Sequence, residues 1–361
     1  MTTSATHSGT AALTGPVGLD IGGANLKASD GMEQTVTREF PLWKSPDKLP
    51  EALAELLAGF SPAAPLAVTM TGELADCFRT RADGVKQILE AVAAIAGDRE
   101  IMVWQTTGEF VSPEDACEFP QLVAAANWHA LASWAGRISP VGASLLIDIG
   151  STTTDIIPLE DGTPIPAGRT DLERLESGEL IYLGVRRTPI CGLISEVRLG
   201  TRCIGLAREL FATTFDVHLW LQHMAEEPDN RQTANGGPGV VAAAGDRLAR
   251  MICADRDVLT DEEIQVIAVT VHRRELEILQ HGLKRVLSRM EAPHQILLSG
   301  EGEFLALQLL KHLKSSFHQA EITVLGSVIG PAHSRGACAF ALARLARERR
   351  HAVSIEAERL L

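Results

Sequence analysis

The chain has 361 residues, with 33 Lys or Arg against 46 Asp or Glu, and a formal net charge of −13 at pH 7. It is long enough for two domains of ordinary size, and its acidic balance argues against nucleic acid or an anionic membrane as a partner. A phosphate site remains compatible with this charge, because backbone N–H groups and one or two placed cations can bind phosphate.

The six cysteines are scattered, without a C-x-x-C pair or a Cys/His cluster at zinc spacing. Reduced thiols in a cytoplasmic protein are therefore expected. No apolar run approaches the roughly 20 residues of a membrane span, so we expect a soluble protein. Residues 1–15 are small and polar, and we predict that they are disordered.

Apolar runs rich in β-branched residues alternate with helical periodicity along the chain, which predicts an α/β fold. The predicted strands are Val17–Ile21, Leu66–Met70, Ile101–Trp104, Leu145–Ile149, Thr154–Pro158, Ile296–Leu298 and Ile322–Val324. The predicted helices are Pro50–Leu57, Gln121–Ala135, Gly239–Cys253, Asp261–Met290, Glu303–Leu313 and Pro331–Arg349. Thr260 is the expected N-cap of the longest helix, ahead of an acidic first turn.

Two short stretches of the sequence match each other. "VGLDIGGANLKASD" begins at Val17 and "LLIDIGSTTTDIIPL" at Leu145, and the match places Asp20 on Asp148, Asn25 on Thr153 and Lys27 on Asp155. Each half of the chain thus begins with the same unit, and we predict domains over residues 16–140 and 141–361, with an inserted region at about 160–238. The last helix is a candidate for packing back on the first domain.

Each copy has an acid at a strand end, followed by a glycine turn. Such turns bring backbone N–H groups close to a ligand, and the acid can hold a Mg²⁺ or Mn²⁺ that phosphate oxygens also bind. The predicted metal ligands are Asp20 and Asp148. The predicted phosphate-binding residues are Gly22, Gly23, Asn25, Lys27, Gly150, Ser151, Thr152 and Thr153. Two plain β-hairpins are the alternative, disfavoured by the match at several offsets.

The paired turns resemble the phosphate loops of the actin, Hsp70 and sugar-kinase superfamily, and "LIDIGSTTTDI" resembles its hydantoinase A and oxoprolinase branch. Four further segments, "VTMTGELADCF", "AANWHALA", "GELIYLGVRRTPI" and "RLARMICAD", are similar to a narrower group linked to tetrahydromethanopterin-dependent one-carbon transfer and methanofuran biosynthesis. The resemblance covers nearly all of the chain after Val17. It implies two ribonuclease-H-like domains facing a phosphate-binding cleft.

The resemblance also implies a transferase that joins an aminomethylfuran-methyl diphosphate to the phenol of tyramine or glutamyl-tyramine. Its partners would be these small molecules, with no nucleic acid or membrane. For such a reaction Asp148 and Lys27 would stabilise the departing diphosphate, and Glu73, directly after a strand, is the candidate general base. An ATP-dependent kinase, an amide hydrolase and a nucleotide-sensing protein without turnover are alternatives. The acceptor phenol and the oligomeric state are left open.

One segment departs from the superfamily pattern. Where adenosine-binding members carry a glycine-rich motif after a late strand, this chain reads "LLSGEGEF", with Gly300, Glu301 and Glu303. Two carboxylates beside a triphosphate are unfavourable unless a cation answers them, so ATP binding is left open. Glu301 would suit a cationic aminomethyl group or cap the following helix. Four more residues are candidates for contacting substrate: Asp155, Arg186, Arg187 and Arg335. A structural role explains Asp155 equally well. Arg186 and Arg187 could instead pair with Glu179.

Overall fold

The computed structural model describes residues 15–313 and 320–360, with side chains up to 352. Nearly all of the segment predicted to be disordered therefore lies outside the described residues. Among the helices described, none combines the length and apolarity needed to cross a membrane. All six cysteines are free thiols.

The strands are β1 Val17–Ile21, β2 Asn25–Ser29, β3 Thr35–Glu39, β4 Leu66–Met70, β5 Ile101–Trp104, β6 Phe110–Val111, β7 Ala143–Ile149, β8 Thr154–Glu160, β9 Thr163–Pro164, β10 Leu180–Ile181, β11 Glu196–Leu199, β12 Arg202–Gly205, β13 Gln295–Ser299 and β14 Glu321–Val324. The helices are α1 Leu49–Leu57, α2 Arg81–Ala96, α3 Pro113–Glu118, α4 Pro120–Val123, α5 Asn127–Ala135, α6 Asp171–Ser177, α7 Thr214–Trp220, α8 Val241–Arg250, α9 Asp261–Leu287, α10 Glu303–His312, α11 Leu325–Ile329, α12 Pro331–Arg335 and α13 Ala337–Leu360.

The chain divides into two compact units. Unit 1 comprises residues 1–134 and 338–361, as far as they are described, and unit 2 comprises residues 135–337. The predicted second domain included residues 338–361, with the last helix as a candidate for packing on the first domain, and the structure assigns these residues to unit 1. The region predicted as an insertion, about 160–238, carries α6, α7 and β9 to β12 of unit 2.

The sheet of unit 1 has the order β3-β2-β1-β4-β5-β6. β1 pairs antiparallel with β2 and parallel with β4, which pairs parallel with β5. β1 and β4 are buried along their whole length, as expected of strands covered on both faces. α13 packs closely on β1, because a Cβ on Gly18 would lie 2.1 Å from the carbonyl oxygen of Ala339.

The sheet of unit 2 repeats this arrangement with the order β10-β8-β7-β13-β14, and β9 pairs with β8. β7 pairs antiparallel with β8 and parallel with β13, which pairs parallel with β14. In each unit a central strand thus joins an antiparallel hairpin on one side to parallel strands on the other. This is the ribonuclease-H-like α/β fold, and the predicted fold class is confirmed.

The helix predicted over 121–135 is wrong in one respect, since it is two helices, α4 and α5. Between them Ala125 has a φ of 49° and Ala124 forms a parallel bridge with Met70. The chain therefore pairs with the last residue of β4 before α5 starts. The N-cap predicted for α9 is confirmed, because Thr260 forms a capping box with Glu263.

Candidate phosphate-binding turns

The first acidic turn connects β1 to β2 within unit 1. The Gly22 N–H donates to the Asn25 carbonyl at 3.0 Å, and a Cβ on Gly22 would lie 2.8 Å from that oxygen. A Cβ on Gly23, by contrast, would have no neighbouring heavy atom within 4 Å among the described residues. Neither glycine has a positive φ, so the turn needs Gly22 for close backbone approach and leaves Gly23 open to a ligand.

Asp20 lies beneath this turn and is 3% exposed. Its Oδ2 is 3.5 Å from the Nζ of Lys27, the residue opposite it on β2. Its Oδ1 is buried and has no hydrogen-bond partner among the described residues. A buried carboxylate oxygen in this state needs a cation or a donor, which makes Asp20 chemically suited to bind a hydrated metal ion.

The "TGE" segment after β4 packs against the first turn. The N–H groups of Thr71 and Gly72 both donate to the Ile21 carbonyl, at 2.9 and 3.0 Å. Glu73 follows directly, is 1% exposed, and lies 3.6 Å from the Nε of Arg81. The structure thus brings Glu73 next to the turn, but in a buried ion pair, and its role as general base stays a prediction.

The second turn, between β7 and β8 of unit 2, repeats the first. The Gly150 N–H donates to the Thr153 carbonyl at 2.9 Å, which is the bond that Gly22 and Asn25 make in unit 1. The hydroxyl oxygens of Ser151 and Thr152 lie 3.4 Å apart, and both side chains are partly exposed. Donors for an anion are therefore available at this turn from side chains as well as from the backbone.

The "GVRR" segment supports the second turn from below. The N–H groups of Arg186 and Arg187 donate to the Ser151 carbonyl at 3.1 and 3.0 Å. A Cβ on Gly184 would lie 2.4 Å from the Thr152 nitrogen, so only glycine allows this packing. The backbones of both predicted arginines therefore lie beside the second turn.

The side chain of Arg186 already has two anionic partners. Its Nε lies 2.5 Å from Glu301, and its two terminal nitrogens lie 3.0 and 2.7 Å from Glu227. The guanidinium also sits over the ring of Phe215, 4.7 Å from its centroid. An incoming diphosphate would have to compete with two carboxylates for this arginine.

These contacts overturn two alternatives from the sequence. Glu179 is not the partner of Arg186, since it accepts from the N–H groups of residues 167 and 168 and pairs with Arg289 at 3.3 Å. Glu301 does not cap α10, because Gly302 holds the N-cap position. Arg335, exposed on α12, acts here through its charge, which helps to lower the pKa of Glu227.

Asp155 lies in a buried ion pair. It stands opposite Asp148 in the strand register, but its Oδ1 lies 2.5 Å from the Nη2 of Arg174, and both side chains are buried. A carboxylate that neutralises a buried guanidinium is not available to a substrate. The pair favours the structural interpretation of Asp155, and its substrate-binding role stays a prediction.

The "SGEGEF" segment packs on the second turn as "TGE" packs on the first. The Gly302 N–H donates to the Ile149 carbonyl at 2.9 Å. Gly300 has a φ of 89°, and a Cβ there would lie 2.3 Å from the same carbonyl and 2.7 Å from the Oδ1 of Asp148. The sheet register pairs Asp20 with Thr69 and Asp148 with Ser299, so Glu303 occupies the position in unit 2 that Glu73 occupies in unit 1.

Glu227 lies near the second turn and was not predicted from the sequence, and Glu303 was predicted only as a departure from the glycine-rich pattern. Burial alone would raise the pKa of Glu227, but its bonds to Arg186 and Asn230 hold that pKa below its usual value. Glu303 accepts from the Gly326 N–H at 2.8 Å and from the Ser334 hydroxyl at 2.7 Å. The equal spacing of Thr69 to Glu73 and Ser299 to Glu303 was the available signal for Glu303, whereas Glu227 lies in a loop without any pattern.

Comparison with known proteins adds family information to this geometry. A family model described as hydantoinase/oxoprolinase matches residues 66–346. The chain is similar to the (4-{4-[2-(gamma-L-glutamylamino)ethyl]phenoxymethyl}furan-2-yl)methanamine synthase of Methanocaldococcus jannaschii, with 31% identity over 333 residues, or 91% of this chain and 96% of the relative. A synthase of the same name from Methanococcus vannielii is 31% identical over 172 residues, 48% of this chain and 77% of the relative. Among solved structures, a chain of a PilM-PilN type IV pilus biogenesis complex is 13% identical, with a TM-score of 0.47 and coverage of 93% of this chain and 99% of that one.

Proposed function

This chain belongs to the hydantoinase/oxoprolinase family, and we propose that it is a transferase that joins an aminomethylfuran-methyl diphosphate to the phenol of tyramine or glutamyl-tyramine. The observation that carries the proposal is the similarity over 91% of the chain to the synthase of M. jannaschii. We place the reaction in the cytoplasm, in methanofuran-type cofactor biosynthesis linked to tetrahydromethanopterin-dependent one-carbon transfer.

The name of this relative defines the bond at issue. Its product contains a furan that bears a methanamine group and, through a phenoxymethyl group, a phenyl ring with a glutamylated aminoethyl chain. In the proposed reaction the phenol oxygen forms a bond to the furan-methyl carbon while the bond from that carbon to the diphosphate oxygen breaks. The phenol proton passes to a base, and diphosphate leaves as the second product.

The acidic turns supply the chemistry that a diphosphate leaving group needs. The buried, unpartnered Oδ1 of Asp20 fits a metal ligand, and the missing Cβ of Gly300 keeps space beside Asp148. In the proposal each of these aspartates is a ligand for Mg²⁺ or Mn²⁺, which would stabilise negative charge on the departing oxygens. Lys27 adds a cation within unit 1, and the open backbone at Gly23 leaves room for an oxyanion.

The base is less strongly supported than the anion site. A phenol with an unperturbed pKa of about 10 is mostly protonated at neutral pH, and Glu73 is the proposed acceptor of its proton. Glu73 is paired with Arg81, which stabilises its negative charge. A furan-methyl carbon carries cationic character by resonance, so departure of diphosphate can run ahead of attack and reduce the demand on the base.

A second candidate is an ATP-dependent kinase or amide hydrolase of the same fold, favoured by the family match itself. Product analysis separates the two. The purified chain is incubated with the furan-methyl diphosphate, tyramine or glutamyl-tyramine, and Mg²⁺, and the aryl ether and diphosphate are measured by mass spectrometry and a phosphate-coupled assay. Ether and diphosphate in equal amounts support the transferase. If the chain forms ADP from ATP and no ether from the diphosphate, the transferase proposal is refuted. If neither the diphosphate nor ATP yields a product, the chain is a binding protein.

Ligand preference provides an independent test. Pyrophosphate with Mg²⁺ is expected to raise the melting temperature more than ATP with Mg²⁺, because a ligand bound only by the native state stabilises it. ATP would bring its adenosine to the segment that carries Glu301 and Glu303. The control is the same titration without metal. Tight binding of ATP together with no metal-dependent effect of pyrophosphate would contradict the proposal.

A further inference from the structure

Unit 2 contains a histidine cluster that the proposed reaction does not use. His218 on α7, His223 just after it and His272 on α9 each place one potential ligand atom within 4.8 Å of the others. His218 is fully buried, and the side chain of His272 is 15% exposed. His218 and His223 are neighbours in the sequence, whereas His272 comes from a distant part, so the fold itself completes the cluster.

The spacing of the ring nitrogens fits a transition-metal site. Nδ1 of His218 and Nδ1 of His223 lie 3.4 Å apart. Two imidazole nitrogens bound tetrahedrally at about 2.0–2.1 Å from Zn²⁺ are roughly 3.4 Å apart. Two facing ring nitrogens can share at most one proton, whereas a metal ion uses both lone pairs.

Glu275 lies behind two of these rings and hydrogen-bonds to one of them. Its Oε1 lies 3.3 Å from Nε2 of His218 and its Oε2 lies 3.4 Å from Nδ1 of His272. Only the second of these contacts has hydrogen-bond geometry, and with the proton on Nδ1 of His272 the Nε2 of that ring keeps its lone pair. Among the described residues, Nε2 of His218 and Oε1 of Glu275 make no hydrogen bond. A carboxylate that accepts from the outer N–H of a ligating histidine is the usual second partner in zinc sites.

The electrostatics of the cluster also favour a cation. Glu275 is fully buried, with its carboxylate oxygens 3.3 Å from His218 and 3.4 Å from His272. A buried carboxylate charge needs a positive counterpart.

We propose that His218, His223 and His272 bind a divalent transition metal of the Zn²⁺ class, with Glu275 as the positioning carboxylate and a fourth coordination position for water. The site would tie α7 to α9 and to the start of α10, where the ring of Phe304 lies 5.0 Å from that of His218. One turn earlier on α7, Phe215 packs under Arg186. The metal would thus brace the helix that supports the arginine beside the second turn, independently of the reaction proposed above.

The test uses the full chain without a histidine tag. After chelation and dialysis, Zn²⁺ alone is titrated by calorimetry with the wild type, His223→Gln, Glu275→Gln and His281→Gln. His281 is exposed on α9, nine residues after His272, and is the matched control. We expect one Zn²⁺ per wild-type and His281→Gln chain, and an affinity lower by about 10–100-fold in Glu275→Gln and by at least as much in His223→Gln.

X-ray absorption on the zinc-loaded wild type keeps the test decisive if a variant fails to fold, and it should show three imidazole ligands. Asp148→Asn should bind Zn²⁺ like the wild type, which separates this site from the phosphate-binding turns. Wild-type affinity in His223→Gln, a zinc site without imidazole ligands, or no stoichiometric binding by the wild type would each overturn the proposal. In that case a protonated imidazole supplies the charge that Glu275 requires.

Discussion

Replacing Asp155 by Asn tests whether this residue serves the fold or a substrate. The Nη2 of Arg174 lies 2.5 Å from Oδ1 of Asp155, with side-chain exposures of 1% and 10%. Removing one partner of a buried pair costs about 3–5 kcal/mol. Arg174 keeps a second acceptor in the carbonyl of Glu179 at 3.3 Å, and asparagine retains an oxygen, so the low end, about 3 kcal/mol, is expected.

A loss of this size should lower the melting temperature of unit 2 by roughly 6–12 °C. The assay is urea and thermal unfolding of Asp155→Asn, Arg174→Met and the double variant, with the exposed Asp257→Asn as control. The double variant should be less destabilised than the sum of the singles, because it leaves no unpaired buried charge. Turnover per folded molecule should stay at the wild-type level. A stability change below about 0.5 kcal/mol together with lost turnover would refute the structural role.

Three further predictions concern the turns and their supports. Asp148→Asn should abolish turnover while its circular dichroism shows an intact fold, and the control Asp98→Asn, at an exposed position, should keep its activity. Wild-type turnover of Asp148→Asn at saturating Mg²⁺ would remove Asp148 from the mechanism. Gly300→Ala should destabilise unit 2 strongly in urea unfolding, because of its φ of 89° and the 2.3 Å approach to a carbonyl, whereas Gly205→Ala, with nothing within 4 Å, should fold normally; equal stability of the two would show that the segment can move aside. Glu227→Gln should cost about 1 kcal/mol at neutral pH, since the pair is partly exposed. The pKa of Glu227 is lower in the folded state than its ordinary value of 4.5, so the stability that its charge contributes is present above pH 4.5 and is lost as the pH falls through the folded-state pKa. A stability difference between Glu227→Gln and the wild type that persists in acid would contradict this.

The sequence predicted the parts of the fold that depend on local pattern. β1 and β4 were predicted to the residue, because both are short apolar runs bounded by turn residues. α2 was not predicted, although Thr80 caps it through the N–H of Asp83 and apolar residues follow at helical spacing. The break between α4 and α5 depends on the bridge to β4, a tertiary contact that no local window contains.

In the candidate site, too, the features that depend on local pattern could be predicted and those that depend on tertiary contacts could not. The two D-x-G turns could be predicted, because their repeat lies in consecutive residues. The pairing of Asp155 with Arg174 and of Arg186 with Glu227 could not, since each joins residues 19 and 41 positions apart without a shared motif. Glu73 was predicted at the right place beside a turn, but its burial next to Arg81 came only from the packing of α2.

The assignment of α13 to unit 1 has a consequence for how the chain is made on the ribosome. Unit 2 is a continuous stretch, residues 135–337, and all of it is synthesised before α13. Unit 1 is split, and its strand β1 waits for Ala339 to cover Gly18 until the whole of unit 2 has been synthesised. The nascent chain therefore completes its second unit first, and a premature stop before residue 338 would release a protein with a finished unit 2 and a unit 1 that lacks its last layer.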